Sequence, residues 1–146
     1  MPPAPANPAE QAGHPAPARH AVGAPMLIFG LLGAPAATAV ETLIGMGVAG
    51  RACFPTDHPL ASARFDVQPI VWIVHVAALI VAGAALLASL SAWRRTRHEH
   101  EGGREAMVEV GEGRTRFLAM CALLTSLGFF AAIVFDTPGL IFLRPC

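Results

Sequence analysis

Three apolar blocks, each about as long as a lipid bilayer is thick, constrain this chain more than any other feature of its sequence. They run from about residue 26 to 49, from 69 to 93 and from 117 to 135. At about 1.5 Å per helical residue the first extends about 36 Å, against a hydrocarbon core of about 30 Å. None shows the polar stripe that marks a helix on the surface of a soluble domain. The expected fold is therefore all-α: an integral membrane protein with three transmembrane helices. Composition agrees, with 54% hydrophobic residues against 14% charged, far from the ordinary soluble mixture. The formal net charge is zero, so nothing points to nucleic acid as a partner.

Residues 1–24 precede the first block and hold six of the thirteen prolines. A stretch so rich in Pro and Ala neither sustains a helix nor buries enough surface to fold. It reads as a disordered tail, with residues 25–146 as the transmembrane domain. No charged start leads directly into a short apolar core, so it does not read as a secretory signal. Pro35 lies inside the first block, where it removes one backbone donor and should kink the helix, as membrane helices tolerate. Gly30, Gly33, Ala34, Ala37, Gly45 and Ala49 recur at three- and four-residue spacing in the same block, which would let another helix approach closely.

Arginine placement sets the expected orientation. The chain has no Lys, and six of its ten Arg lie in the 94–116 segment, against two in the 50–68 loop and one near each terminus. By the positive-inside rule 94–116 and the N-terminus face the cytoplasm, and the 50–68 loop and C-terminus face outside. Trp72 and Trp93 stand near the two ends of the second block, where indoles favour the interfaces. The third block ends at Asp136-Thr137-Pro138-Gly139. The seven residues beyond are too few to cross again, so they either extend the helix or lie in the interface.

Three ionisable residues fall within or at the rim of these blocks: Glu41, His75 and Asp136. A carboxylate in mid-membrane costs about 2.5–3.5 kcal/mol on insertion scales, so each calls for a partner or a task. Counting along the helices puts Glu41 and His75 both about 13 Å below the outer ends of their spans. Asp136 reaches a similar level if the third helix continues past Pro138. One reading is a polar contact that fixes how the helices pack; another is a proton relay or part of a metal site.

The cysteines offer a second grouping. Cys53 and Cys146 both fall on the expected outer side, where disulfides persist. A bridge would close a loop of about 94 residues and contribute at most about 4.7 kcal/mol on the chain-entropy account. The competing reading is a soft-ligand copper site of Cys53, His58, Cys146 and Met46, although no Cys-x-x-Cys or Met-rich motif accompanies it. Cys121, inside the third block, reads as a buried small hydrophobe. No phosphate loop, GxSxG or HExxH occurs, so no catalytic residue is assigned and no cofactor is expected beyond the copper alternative.

Several short runs carry a resemblance. They are Leu32-Gly33-Ala34-Pro35-Ala36, Ala52-Cys53-Phe54-Pro55, the run from Gly113 to Ala119 (GRTRFLA), and the terminal Pro145-Cys146. Over roughly residues 26–146 the chain resembles a family of small three-helix bacterial inner-membrane proteins whose genes often stand beside those for haem-copper cytochrome oxidase. The family often has Gly-Pro followed closely by Trp in the first helix; here Ala34 intervenes before Pro35 and no Trp follows. The family has no established activity, so the resemblance implies a setting, respiratory oxidase assembly or association, and no mechanism. The expected function is a non-enzymatic accessory subunit or assembly factor, with the bilayer and other membrane subunits, or further copies of itself, as partners. The alternatives are an outer-face protein handling copper or thiol redox chemistry, and a small transporter working only as an oligomer.

Overall fold

The computed structural model describes residues 22–54, 58, 60, 62–97 and 114–142. Among them are three helices: α1 (Ala24–Cys53), α2 (Gln68–Thr96) and α3 (Arg114–Phe142). Each is long and apolar enough to cross a membrane, which makes the chain a multi-pass membrane protein. Each helix packs against the other two, so α2 runs down between two rising neighbours. The expected tail lies outside the described residues as far as residue 21. From Val22 onward the chain already belongs to the bundle: Val22 is buried with Ala92 and Ala119, and Met26, Leu27 and Trp93 pack around them.

The helix ends follow from local chemistry. At the start of α1, Pro25 needs no donor in the first turn, and the Gly23 carbonyl accepts from Met26 N–H and Leu27 N–H. The helix then runs through Pro35 without a break. At the start of α2, Pro69 plays the same first-turn role, and Asp66 Oδ1 accepts from the Gln68 backbone N–H at 3.1 Å. Arg94 and Arg95 occupy the last turn of α2, where cations suit the negative end of the helix dipole. One turn into α3, Arg116 donates to the Arg97 carbonyl at 2.8 Å, tying the end of α2 to the start of α3.

The third helix does not stop at the Asp-Thr-Pro-Gly run but continues through Pro138 to Phe142, the first of the two courses expected for the end of the chain. A proline inside a helix removes one donor and leaves the turn otherwise able to continue. Here the final turn also gains an outside partner. Gln68 Nε2 donates to the Leu140 carbonyl at 2.9 Å, satisfying an acceptor that has no partner within its own helix.

Packing inverts the usual soluble arrangement. The buried residues of α2 are His75, Ala78, Ala82, Ala85, Ser89, Ala92 and Thr96, alternating steps of three and four that form a seam of small side chains. Ile73, Ile80 and Leu87, on the same helix, are about two-thirds exposed and face where lipid would lie. Lipid chains are as apolar as Leu, so burying large aliphatics gains little, and close approach of small residues drives helix association instead. Ala34, Ala78, Ala82, Ala85 and Ile133 form the central cluster, with Ala37, Leu79 and Phe130 against it. The small residues of α1 divide accordingly. A Cβ at Gly33 would stand 3.0 Å from the Ala85 methyl, so this face is spent within the chain, whereas one at Gly45 would meet nothing.

Candidate functional site

Glu41 and His75 face each other between α1 and α2, at the shared depth their spacing predicts. His75 is fully buried, and its Nδ1 lies 2.5 Å from Glu41 Oε1. Its other ring nitrogen, Nε2, lies 3.0 Å from the Thr137 hydroxyl of α3. With a neutral imidazole, Nδ1–H donates to Glu41 and Nε2 accepts from the Thr137 O–H; with a protonated one both nitrogens donate, and in either form one imidazole joins all three helices. Trp72, one turn earlier on α2, sets its ring edge-on to His75 with centroids 5.9 Å apart and helps fix the ring plane.

The third member of the cluster is Thr137, not its neighbour Asp136, which is exposed on α3. Successive helical residues are about 100° apart around the axis. Ile133 is fully buried in the central cluster, and the residue four positions on, Thr137, follows it onto the same face. Asp136 is turned away by that rotation. Depth along the helix does not separate Thr137 from the carboxylate beside it; only the rotation of α3 against α2 does.

One atom of the site is left over. Glu41 Oε2 is buried and has no hydrogen-bond partner among the described residues. Burying a polar acceptor without a partner is costly in an apolar medium, and more so for a carboxylate oxygen than for a neutral group. Glu41 also stands in the wall of a long open groove of about 890 Å³ between α1 and α2, whose lining includes Phe29, Leu32, Val40, Ile44, Ile73 and Val81. From Pro25 to Ile44 that lining covers most of α1, about 28 Å of helix rise. Among the described residues that line it, Glu41 is the one acidic or basic side chain.

A second polar cluster lies deeper in the bundle, about 16 Å along α1 from Glu41. Ser126 donates to the Gly30 carbonyl at 2.5 Å, Ser89 and Ser126 lie 3.2 Å apart, and Ser89 donates to the Ala85 carbonyl. Both hydroxyls are buried and bonded. A Cβ at Gly30 would collide with Ser89 Oγ, so the absence of a side chain there is what admits this contact. Nothing in the spacing of Ser89 and Ser126 along the sequence marks them as partners.

Three of the four candidate copper ligands, Met46, Cys53 and His58, lie among the described residues. Cys53 is buried at the end of α1 beside Ala52 and Val67, whereas Met46 is 71% exposed and His58 is also exposed. Cys121 on α3 is a free thiol, half-buried rather than enclosed. Cys146 lies outside the described residues. Among the described residues no three His, Cys, Asp or Glu side chains gather as a metal site would require. No protein-family model matches the chain, and no curated protein or solved structure matches it significantly. The fold and the site thus define a class, a three-span membrane protein with an interhelical Glu–His–Thr cluster opening on an apolar groove.

Proposed function

We propose that this chain is a non-catalytic accessory or assembly subunit that docks a membrane-spanning helix of a larger complex into the groove between α1 and α2. The observation that carries this reading is Glu41 Oε2, a buried acceptor without a partner among the described residues, in the wall of an otherwise apolar groove. A helix bearing one Ser, Thr, Asn or Gln at the right level would supply the missing donor. The terminal torsion of a glutamate is soft, so the carboxylate can turn to meet it. Large side chains along the groove provide the apolar contact, and the hydrogen bond sets register.

The complex we propose is a respiratory terminal oxidase of a bacterial inner membrane; that part rests on the family resemblance. The distribution of arginines supports a cytoplasmic N-terminus. A Cys53–Cys146 bridge on the opposite side belongs to the same reading. Its support is that Cys53 and Cys146 follow the first and third spans in the sequence, on the side where disulfides persist, while Cys121 is a free thiol.

Affinity purification of the tagged protein in a gentle detergent tests the proposal. Oxidase polypeptides should accompany the wild type and be lost from Ala77→Trp, which fills the groove without touching Glu41 or His75. Recovery of a lone monomer, together with normal oxidase in a deletion strain, would sink the accessory reading. If a different membrane complex is recovered and Ala77→Trp releases it, docking stands and the oxidase assignment falls.

A further inference from the structure

At the Cys53 end of the bundle the chain builds a second, smaller depression of about 450 Å³, lined by Gly50, Arg51, Phe54, Arg64 and Phe65. The two arginines are thirteen positions apart in sequence. They are brought together by backbone bonds that fold the connection onto the end of α1: Leu60 N–H donates to the Cys53 carbonyl at 2.8 Å, and Arg64 N–H to the Ala52 carbonyl at 3.1 Å. In the same part of the chain Ala52, Cys53 and Val67 form a buried cluster, with Val48, Ala63 and Val71 packed alongside, which helps hold the 62–67 segment against the end of α1.

Among the described residues the charge of the depression is one-sided. Neither guanidinium has an ion-pair or hydrogen-bond partner among the described residues. The nearest described carboxylate in sequence, Asp66, spends Oδ1 on the Gln68 N–H at the start of α2. Two like charges converging on one concavity repel, and an anion between them removes that cost. A guanidinium presents paired N–H donors in the fork geometry that suits a phosphate. The flanking groups narrow the class of anion. Phe54 is 60% exposed and Phe65 44% exposed, at the level where a spanning helix leaves hydrocarbon for the headgroup region. Phenyl rings there suit a ligand that carries its own apolar body, and a free phosphate offers them nothing.

We infer that this depression binds the phosphodiester of an anionic phospholipid, with Arg51 and Arg64 on the phosphate and Phe54 and Phe65 against the upper part of the acyl chains. The site is separate from the Glu41 groove and stands whether or not a partner helix docks there. Basic pockets between spanning helices hold lipid headgroups on the same physical grounds.

The test is photolabelling of the full chain, reconstituted in nanodiscs of phosphatidylcholine doped with a phosphatidylglycerol bearing a diazirine near its headgroup. Peptides are then mapped by mass spectrometry. Label is expected on the segments around residues 50–54 and 64–65, and Arg51→Gln/Arg64→Gln should reduce it about tenfold. Label near Arg94 and Arg95 should not change, which also reports that the variant is folded. Arg51→Lys/Arg64→Lys should retain an intermediate level. Excess inorganic phosphate should leave the labelling intact. Equal labelling of the double Gln variant, a parallel loss at both ends of the bundle, or displacement by inorganic phosphate would each overturn the assignment.

Discussion

The bundle holds two polar clusters of similar size, and they are finished differently. Around Gly30, Ser89 and Ser126 both hydroxyls are buried and bonded within the chain. Around Glu41, His75 and Thr137 the imidazole is bonded on both sides, yet one carboxylate oxygen has no described partner and its residue borders an open groove. Both clusters hold helices together. A closed network of hydroxyls supplies adhesion and register, and has nothing left to offer another molecule. The second cluster carries a stronger and costlier group than adhesion requires, because serine at position 41 would have been less expensive to bury. The difference separates a structural contact from a candidate binding site without any appeal to catalysis.

The sharpest way to break this comparison is to remove one member of the charged cluster. His75→Leu leaves Glu41 buried without its counterpart and should destabilise the bundle by about 3–5 kcal/mol, read as a shift in unfolding by SDS titration of the protein in mixed micelles. The double variant Glu41→Leu/His75→Leu should recover most of that loss, since apolar replacement of a buried pair is often neutral or better. It should nonetheless fail to capture the partner complex. A double variant that is stable and still captures the complex would reduce the Glu41 cluster to adhesion alone.

A smaller effect is expected at the serine level. Gly30→Val forces a side chain into the space that Ser89 Oγ occupies and should cost about 1–3 kcal/mol by overpacking, measured in the same titration. Ser126→Ala removes the donor to the Gly30 carbonyl and should cost about 0.6–2 kcal/mol. Partner capture should survive Ser126→Ala; its loss in a variant of unchanged stability would contradict the division between the two levels. The least expected change is at Thr137→Val, about 0.6 kcal/mol, because His75 keeps Glu41. A larger cost there than at Ser126 would show that the hydroxyl sets the imidazole's tautomer and does not merely accompany it.

Much of this was legible in the residues. Counting from the helix ends placed Glu41 and His75 at one depth because rise per residue is nearly constant. Choosing Thr137 over Asp136 was not legible, because depth says nothing about rotation: adjacent residues share a level and differ by about 100° in direction. The extension of α3 was also hidden. Asp-Thr-Pro-Gly is turn chemistry in water, but in this bundle the Gln68 amide reaches the carbonyl of Leu140 and helps hold the final turn. The burial of Val22 with Ala92 and Ala119 was hidden for a similar reason, since its own neighbourhood in sequence does not advertise that contact.

The sequence by itself determined that three helices cross a membrane, because length and unbroken apolarity settle that question against a solvent of fixed thickness. Tertiary structure decided which faces meet. The seam of small residues on α2 faces inward, Arg51 and Arg64 share one depression, and a single oxygen of Glu41 is left without a described partner beside a groove. These are matters of rotation and proximity between segments far apart in the chain, and in lipid no hydrophobic pattern specifies them, since every face of such a helix is apolar enough to be exposed.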